Sequence, residues 1–308
     1  MSNAKRPYVA NKFCLELQNQ AAGWLHSAEG GTAVAEVVQE RLAGGHAVRK
    51  HAGNIKFEEL TVACGTSMSR VFYDWLKTSL EYKHERKEGS IIAANYDYKE
   101  IARQEFHQAL LSEIGLPGVD AASKDSCKFT VKIAPEYTET KYSSGTQSIL
   151  PAQSHATQQK RWQAANFKLV IDGMHCSAVS KVEPLTIKQN LIENTVGERL
   201  ICQREPAQID FPNVVFTIPE SAAEPWYKWY EEFVCKGHSQ PENEKQGHLE
   251  YLAPDCKTVL FLVQFHNLGI IKFMPDKLES TSEKPRNVKI EMYCERIDFE
   301  YKPAGTAI

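Results

Sequence analysis

Residues 55–80, IKFEELTVACGTSMSRVFYDWLKTSL, return 154 positions later as residues 209–234, IDFPNVVFTIPESAAEPWYKWYEEFV. Ile55 and Phe57 fall on Ile209 and Phe211, while Phe72, Tyr73 and Trp75 fall on Trp226, Tyr227 and Trp229 without a gap. Each repeat reads as a strand of alternating apolar positions, a small polar break and a short aromatic-rich helix. Self-similarity at a fixed spacing restricts the chain to architectures made of two like units.

The likeness runs outward on both sides. Phe13, Leu15 and Leu17 match Phe167, Leu169 and Ile171, and Ile114-Gly115-Leu116 is matched to Leu268-Gly269-Ile270, both 154 residues on. The closing strands, Phe129–Ile133 and Val288–Met292, correspond at a spacing of 159, as do Tyr142 and Tyr301. Two tandem domains are expected, 1–142 and 164–308, each of ordinary single-domain size. The stretch between, 143–163, is rich in Ser, Gln, Thr and Ala and reads as a linker.

Charge is nearly balanced at −3, and residues 1–150 hold as many basic as acidic side chains, 18 of each. With no basic stripe above that background, nucleic-acid specificity has no electrostatic support. No apolar run reaches the roughly 18 residues of a membrane span, so membrane insertion is not expected. The first twelve residues carry charge without an apolar stretch behind it, unlike a signal peptide. The eight cysteines show no CxxC pair and no spacing shared by the two repeats. They read as reduced, mostly core thiols in a protein made in the cytoplasm.

Taken in order, 8–17 is a strand and 18–31 a polar loop ending in Gly30-Gly31. Residues 32–52 read as two strands turning at Gly44-Gly45, in preference to a short helix over 33–42, because the equivalent run in the second repeat is richer in β-branched residues. A strand over 55–63 precedes a helix from about 69 to 81, with Ser67 or Ser69 at its start. In the second repeat Pro225 sits in the first helical turn. Residues 99–114 have helical spacing, yet their counterpart 258–270 is plainly a strand; both contain Phe-His, at 106–107 and 265–266. Residues 117–127 are a loop and 128–142 a last strand.

No motif here carries chemistry. Phe72, Trp75, Trp226 and Trp229 lie at core spacing on the two helices and read as helix-on-sheet packing. Cys235 with His238, or His175 with Cys176, could open a metal site, but neither pairing has a counterpart in the other repeat. His107 and His266 have no positioned partner visible in the sequence and read as structural. No nucleophile elbow, phosphate loop or dinucleotide fingerprint is present. The chain is therefore expected not to be an enzyme and to need no cofactor and no metal.

Strand, small-residue break, aromatic helix, charged turn, Gly-containing strand pair and closing strand together resemble the contractile-phage tail tube protein family. Residues 60–80 carry the likeness in the first repeat; 214–234 and 288–301 carry it in the second. The resemblance implies a mainly β (α+β) fold: two tandem tail-tube-like antiparallel β-sandwich or barrel domains, each with a short packed helix. It implies subunits joined edge to edge into a ring that lines a channel, which also covers edge strands. Ordinary members carry one such domain, so three copies of this chain would supply six, suited to joining a three-fold spike to a six-fold tube. The implied partners are the chain itself, as trimer or hexamer, with tube, spike or baseplate and sheath proteins of a phage tail or contractile injection system. The loops at Gly30, Gly31, Gly44 and Gly45 are candidate ring-to-ring contacts. A plain tube subunit, and a soluble ring-forming carrier for an effector cargo, are the alternatives.

Overall fold

The computed structural model describes residues 12–41, 48–143, 148–149, 162–194, 201–277 and 285–301. Alternating apolar residues make most of it antiparallel sheet. The first repeat runs β1 (Lys12–Leu17), β2 (Gln20–Gly30), β3 (Ala33–Arg41), β4 (Val48–Phe57), β5 (Leu60–Cys64), α1 (Arg70–Leu80), β6 (Lys87–Ala94), β7 (Glu100–Leu116), β8 (Val119–Asp120), β9 (Phe129–Ala134) and β10 (Tyr137–Tyr142). The second runs β11 (Phe167–Ile171), β12 (Lys181–Val182), β13 (Leu185–Asn194), β14 (Gln203–Asp210), β15 (Val214–Pro219), α2 (Glu224–Tyr230), β16 (Lys245–Leu252), β17 (Val259–Pro275) and β18 (Asn287–Tyr301).

Strands β7-β6-β1-β2-β5-β9 form a sheet that closes when β9 pairs back onto β7. Closure removes the bare edges that an open sheet leaves. The second repeat stays open, in the order β11-β16-β17-β18-β15-β12-β8. Each repeat also lends strands to the other: β13 pairs with β7, and β8 pairs with β12.

Several sequence readings need correction. Residues 18–31 are not a loop: Gln18 and Asn19, both at positive φ, turn the chain directly into β2. That strand was hard to see because its buried positions include small Ala22 beside Leu25. The strand expected over 55–63 breaks at Glu58-Glu59, where Phe57 ends one pairing and Leu60 begins another. Residues 99–114 belong to a strand, because pairing on both edges of β7 outweighs their helical spacing. Within the expected loop 117–127 lies the short β8.

The internal match of Ile114-Gly115-Leu116 also moves. Phe106 pairs with Gly89 as Phe265 pairs with Gly247, and Gln108 and Asn267 both take positive φ. The bulge at Leu111/Glu113 recurs at Ile270/Lys272. The spacing is thus 159 here as well, and 114–116 corresponds to Phe273-Met274-Pro275 rather than 268–270. The extra residues lie after the second helix, in the longer connection 236–244.

Both repeats feed one hydrophobic core. Tyr73 of α1 stacks on Tyr301 of β18 at 3.9 Å between centroids, and Phe129 of β9 packs on Phe261 of β17 at 4.9 Å. Trp162, inside the expected linker, is buried against Phe129, Tyr251 and Phe261, and Ile149 packs with Cys14, Ile92 and Ala94. The rest of that segment, 144–147 and 150–161, lies outside the described residues. No helix among the described residues is long and apolar enough to cross a membrane.

Candidate assembly interface

The two hairpins, β3–β4 and β13–β14, are the same object in different surroundings. Both carry a bulge at matching positions, between Ala35 and Val37 and between Gln189 and Leu191. In the second hairpin, apolar Leu185 and Ile187 alternate with polar residues, so one face can be buried on docking. β13 lies along the edge of β7 that β6 leaves free, with Leu185, Thr186, Ile187 and Lys188 opposite Leu116, Gly115, Ile114 and Glu113. Leu185, Ile187, Ile114 and Leu116 are all buried there.

Polar groups tie the hairpins to the body. The Arg204 guanidinium donates to the Phe57 carbonyl at 2.8 Å, and Arg86 donates to the Arg204 carbonyl at 2.7 Å while pairing with Glu136 and Glu205. Lys56 reaches Glu193 at 3.1 Å. The first hairpin has no sheet to lie on: among the described residues β3 and β4 pair with each other, and beyond that Ile55 alone makes an isolated parallel bridge to Ile201. Val34, Val37, Val38, Val48 and Ile55 are accordingly exposed. Ile55 is 38% exposed, whereas Ile209 at the same place in the second hairpin is 6% exposed.

Gly30 and Gly31, both at positive φ, form the root of the first hairpin. A Cβ on Gly30 would come within 2.0 Å of the Glu59 carbonyl oxygen, so glycine is required there. Gly31 is buried, and its carbonyl accepts from Gln104 at 2.9 Å and Thr138 at 2.6 Å. The Gly30 carbonyl also lies 3.3 Å from the Gln104 amide nitrogen. Gly44 and Gly45 lie outside the described residues.

Among the helix aromatics, Phe72, Trp75 and Trp226 are fully buried and Trp229 is 9% exposed. Trp75 donates its indole N–H to the Glu85 carbonyl at 3.0 Å. The indole nitrogens of Trp226 and Trp229 find no acceptor among the described residues. The second helix passes into a π-helical turn at Glu231–Cys235. Tyr227 is half exposed, while its counterpart Tyr73 is buried.

The two Phe-His pairs coincide in the fold, and each histidine does have a carboxylate partner, which the sequence reading did not find. His107 pairs with Glu88 and stacks on Tyr137, and His266 Nε2 lies 2.8 Å from Asp298. These partners come from neighbouring strands, so no local spacing could reveal them. No serine or cysteine nucleophile is bonded to either ring among the described residues. Glu105 and Glu139 also approach His107, but the Lys141 amino group sits between them, 2.6 Å from Glu105 and 3.4 Å from Glu139.

No cysteine is in a disulfide. Burial pushes the Cys64 thiol up to about 12 and those of Cys14, Cys127 and Cys294 up to about 11. Thiolate is the reactive form, so buried thiols with raised values are inert. A maleimide at pH 8 is expected to label exposed Cys235 and Cys256 within minutes and those four only after unfolding. Peptide mapping of the labelled protein checks this, and early label on Cys64 would contradict the packing.

What stands assembled is a mainly β protein in which a closed barrel and a half-barrel are joined by strand exchange, with one hairpin left undocked. Residues 9–139 match the family described as T4-like virus tail tube protein gp19. No curated protein matches the chain. Among solved structures it is similar to a chain of an extracellular contractile injection system, the PVC sheath–tube complex in its extended state. That likeness has 16% identity and a TM-score of 0.41, covering 46% of this chain and 95% of that one. A chain of the anti-feeding prophage tube-terminating cap gives 16% identity and a TM-score of 0.41 over 46% of this chain and 100% of that one. Hcp1 from Flavobacterium johnsoniae gives 13% and 0.27 over 44% and 95%.

Proposed function

We propose that this chain is a tandem tube subunit of a phage tail or contractile injection system that forms or initiates the inner tube near the baseplate. The observation that carries the reading is the tail tube match at 9–139, together with a second repeat in which the hairpin, the strand before the helix, the helix and the long strands after it recur in the same order. Residues 1–142 and 164–308 are two tube-like domains, with 143–163 connecting them. Three chains bring six such domains to one ring, which adapts a three-fold spike to a six-fold tube. The protein is made in the bacterial cytoplasm and built into the particle. Its partners are further copies of itself, the spike or baseplate, the tube and the sheath. Its role is structural: the paired histidines and carboxylates serve cross-strand hydrogen bonding.

The test is solution mass by light scattering, with negative-stain imaging of the same sample. The expected result is a ring with six lobes and a mass of three 34.8 kDa chains. Six chains, or stacked rings growing into tubes, would replace the adaptor by a tube-body subunit. A ring that co-purifies with a small cargo and never stacks would point instead to a carrier. A chain that stays monomeric with spike and tube proteins present would overturn the proposal.

A further inference from the structure

We propose that the β3–β4 hairpin of one chain docks on the bare edge of β17 in a second copy of this chain, with Thr32, Ala33 and Val34 opposite Met274, Phe273 and Lys272. The inference rests on the ring reading and supplies its contact surface. Strand β17 is covered by β16 only as far as Leu268, while β18 covers its other edge to Pro275. Among the described residues, no strand lies on the remaining edge of 269–275. The same stretch of β7, beyond Ala109 where β6 stops, is the edge that β13 occupies. The second repeat therefore presents, unfilled, the site that the first repeat presents filled.

The equivalence is tight enough to transfer register. Cross-strand ion pairs mark the same place in both repeats with their signs exchanged: Lys132–Glu113 at 2.9 Å and Lys272–Glu291 at 2.8 Å. Moving each hairpin residue by 154 and each edge residue by 159 turns the observed β13–β7 register into the proposed one. The buried Ile187–Ile114 pair becomes Ala33 opposite Phe273, a small residue against a large one, which suits the space that two isoleucines fill. Ile55, exposed now, takes the position at which Ile209 is buried. β13 starts at Leu185 whereas β3 starts only at Ala33, two residues later than the equivalent Gly31, as expected for a strand whose partner is missing.

Charge agrees with the apolar fit. β4 carries exposed Arg49, Lys50 and His51, and Lys50 stands where Arg204 stands in the docked hairpin. In the seam within the chain, the Arg204 backbone N–H donates to Glu136 and its carbonyl accepts from Arg86. Their counterparts in the second repeat are Glu295 and, by the spacing of 158 that Gly89 and Gly247 set between β6 and β16, Glu244, which puts two carboxylates beside the incoming basic strand. Because the hairpin of one chain meets a different surface on the next, the contact is head to tail and closes into a ring when the rotation allows.

The test uses the full chain with Cys235→Ser and Cys256→Ser, carrying Thr32→Cys together with Met274→Cys, oxidised under assembling conditions. Only residues directly opposite meet the Cα spacing a disulfide needs, so covalent dimers and trimers should exceed those of a Val38→Cys/Met274→Cys control by about tenfold. Separately, Ile55→Asp is expected to abolish assembly while leaving the melting temperature of the single chain unchanged. Rings of correct mass without cross-links above the control, or rings that tolerate Ile55→Asp, would overturn this docking and leave the ring reading standing. A monomeric mass with no cross-link would overturn both.

Discussion

Alanine in place of Phe129 is expected to destabilise the protein by about 3–5 kcal/mol, the usual cost of truncating a buried phenylalanine. It should also lower the unfolding temperature of both repeats together. Phe129 is fully buried on β9. Its ring lies 4.9 Å from Trp162, 4.9 Å from Phe261 and 6.2 Å from Tyr73 and Phe299. Those neighbours belong to the first repeat, the connecting segment and the second repeat. Removing the ring leaves a cavity that all three line, and interdigitated side chains relax into such a space only in part. Scanning calorimetry should give one transition, shifted downward as a whole. Two separated transitions, of which only the first moves, would show that the repeats are energetically independent.

Aspartate at Ile187 is expected to open the seam between the repeats. The site is buried opposite Ile114. An unpaired carboxylate there costs on the order of several kcal/mol. Peeling the β13–β14 hairpin into water relieves that cost at the expense of the apolar contacts of Leu185, Ile187 and Ile209. The variant should therefore remain folded in its barrel, become sensitive to limited proteolysis between 185 and 210, and lose ring mass in light scattering. Protection of that segment together with an unchanged mass would mean that the seam contributes little. Asparagine at the same position, uncharged, should give a milder form of the same loss.

How far the sequence could be read depended on where the stabilising partners lie. The repeat was legible because Phe72, Trp75, Trp226 and Trp229 are bulky markers at fixed spacing. The strand pair turning at Gly44-Gly45 was legible from the β-branched content of its counterpart in the second repeat, since its own alternation is imperfect. Strand β2 was not, because its inner face is built partly from Ala22 and its solvent face is polar. β7 was ambiguous, since Ile101, Phe106, Leu110 and Ile114 satisfy a helical spacing and a strand register at once; neighbours on both edges decide it. The carboxylate partners of His107 and His266 lie on adjacent strands, beyond any local pattern. The contrast that matters most for assembly, Ile55 in solvent and Ile209 buried, is invisible in two identical letters. It arises because one hairpin finds a strand edge within its own chain and the other does not.

The exchange of β13 across the repeats also sets a timetable for synthesis. When the barrel of the first repeat has left the ribosome, Ile114 and Leu116 on β7 still face water, and they stay bare until residues 185–210 follow. During that interval the edge accepts any hairpin of matching pattern, and the first hairpin of a neighbouring nascent chain has that pattern. A gene truncated after residue 142 would make the interval permanent. Its product should be a barrel that sticks to its own kind, and co-expression of 164–308 should relieve it by returning the missing strands.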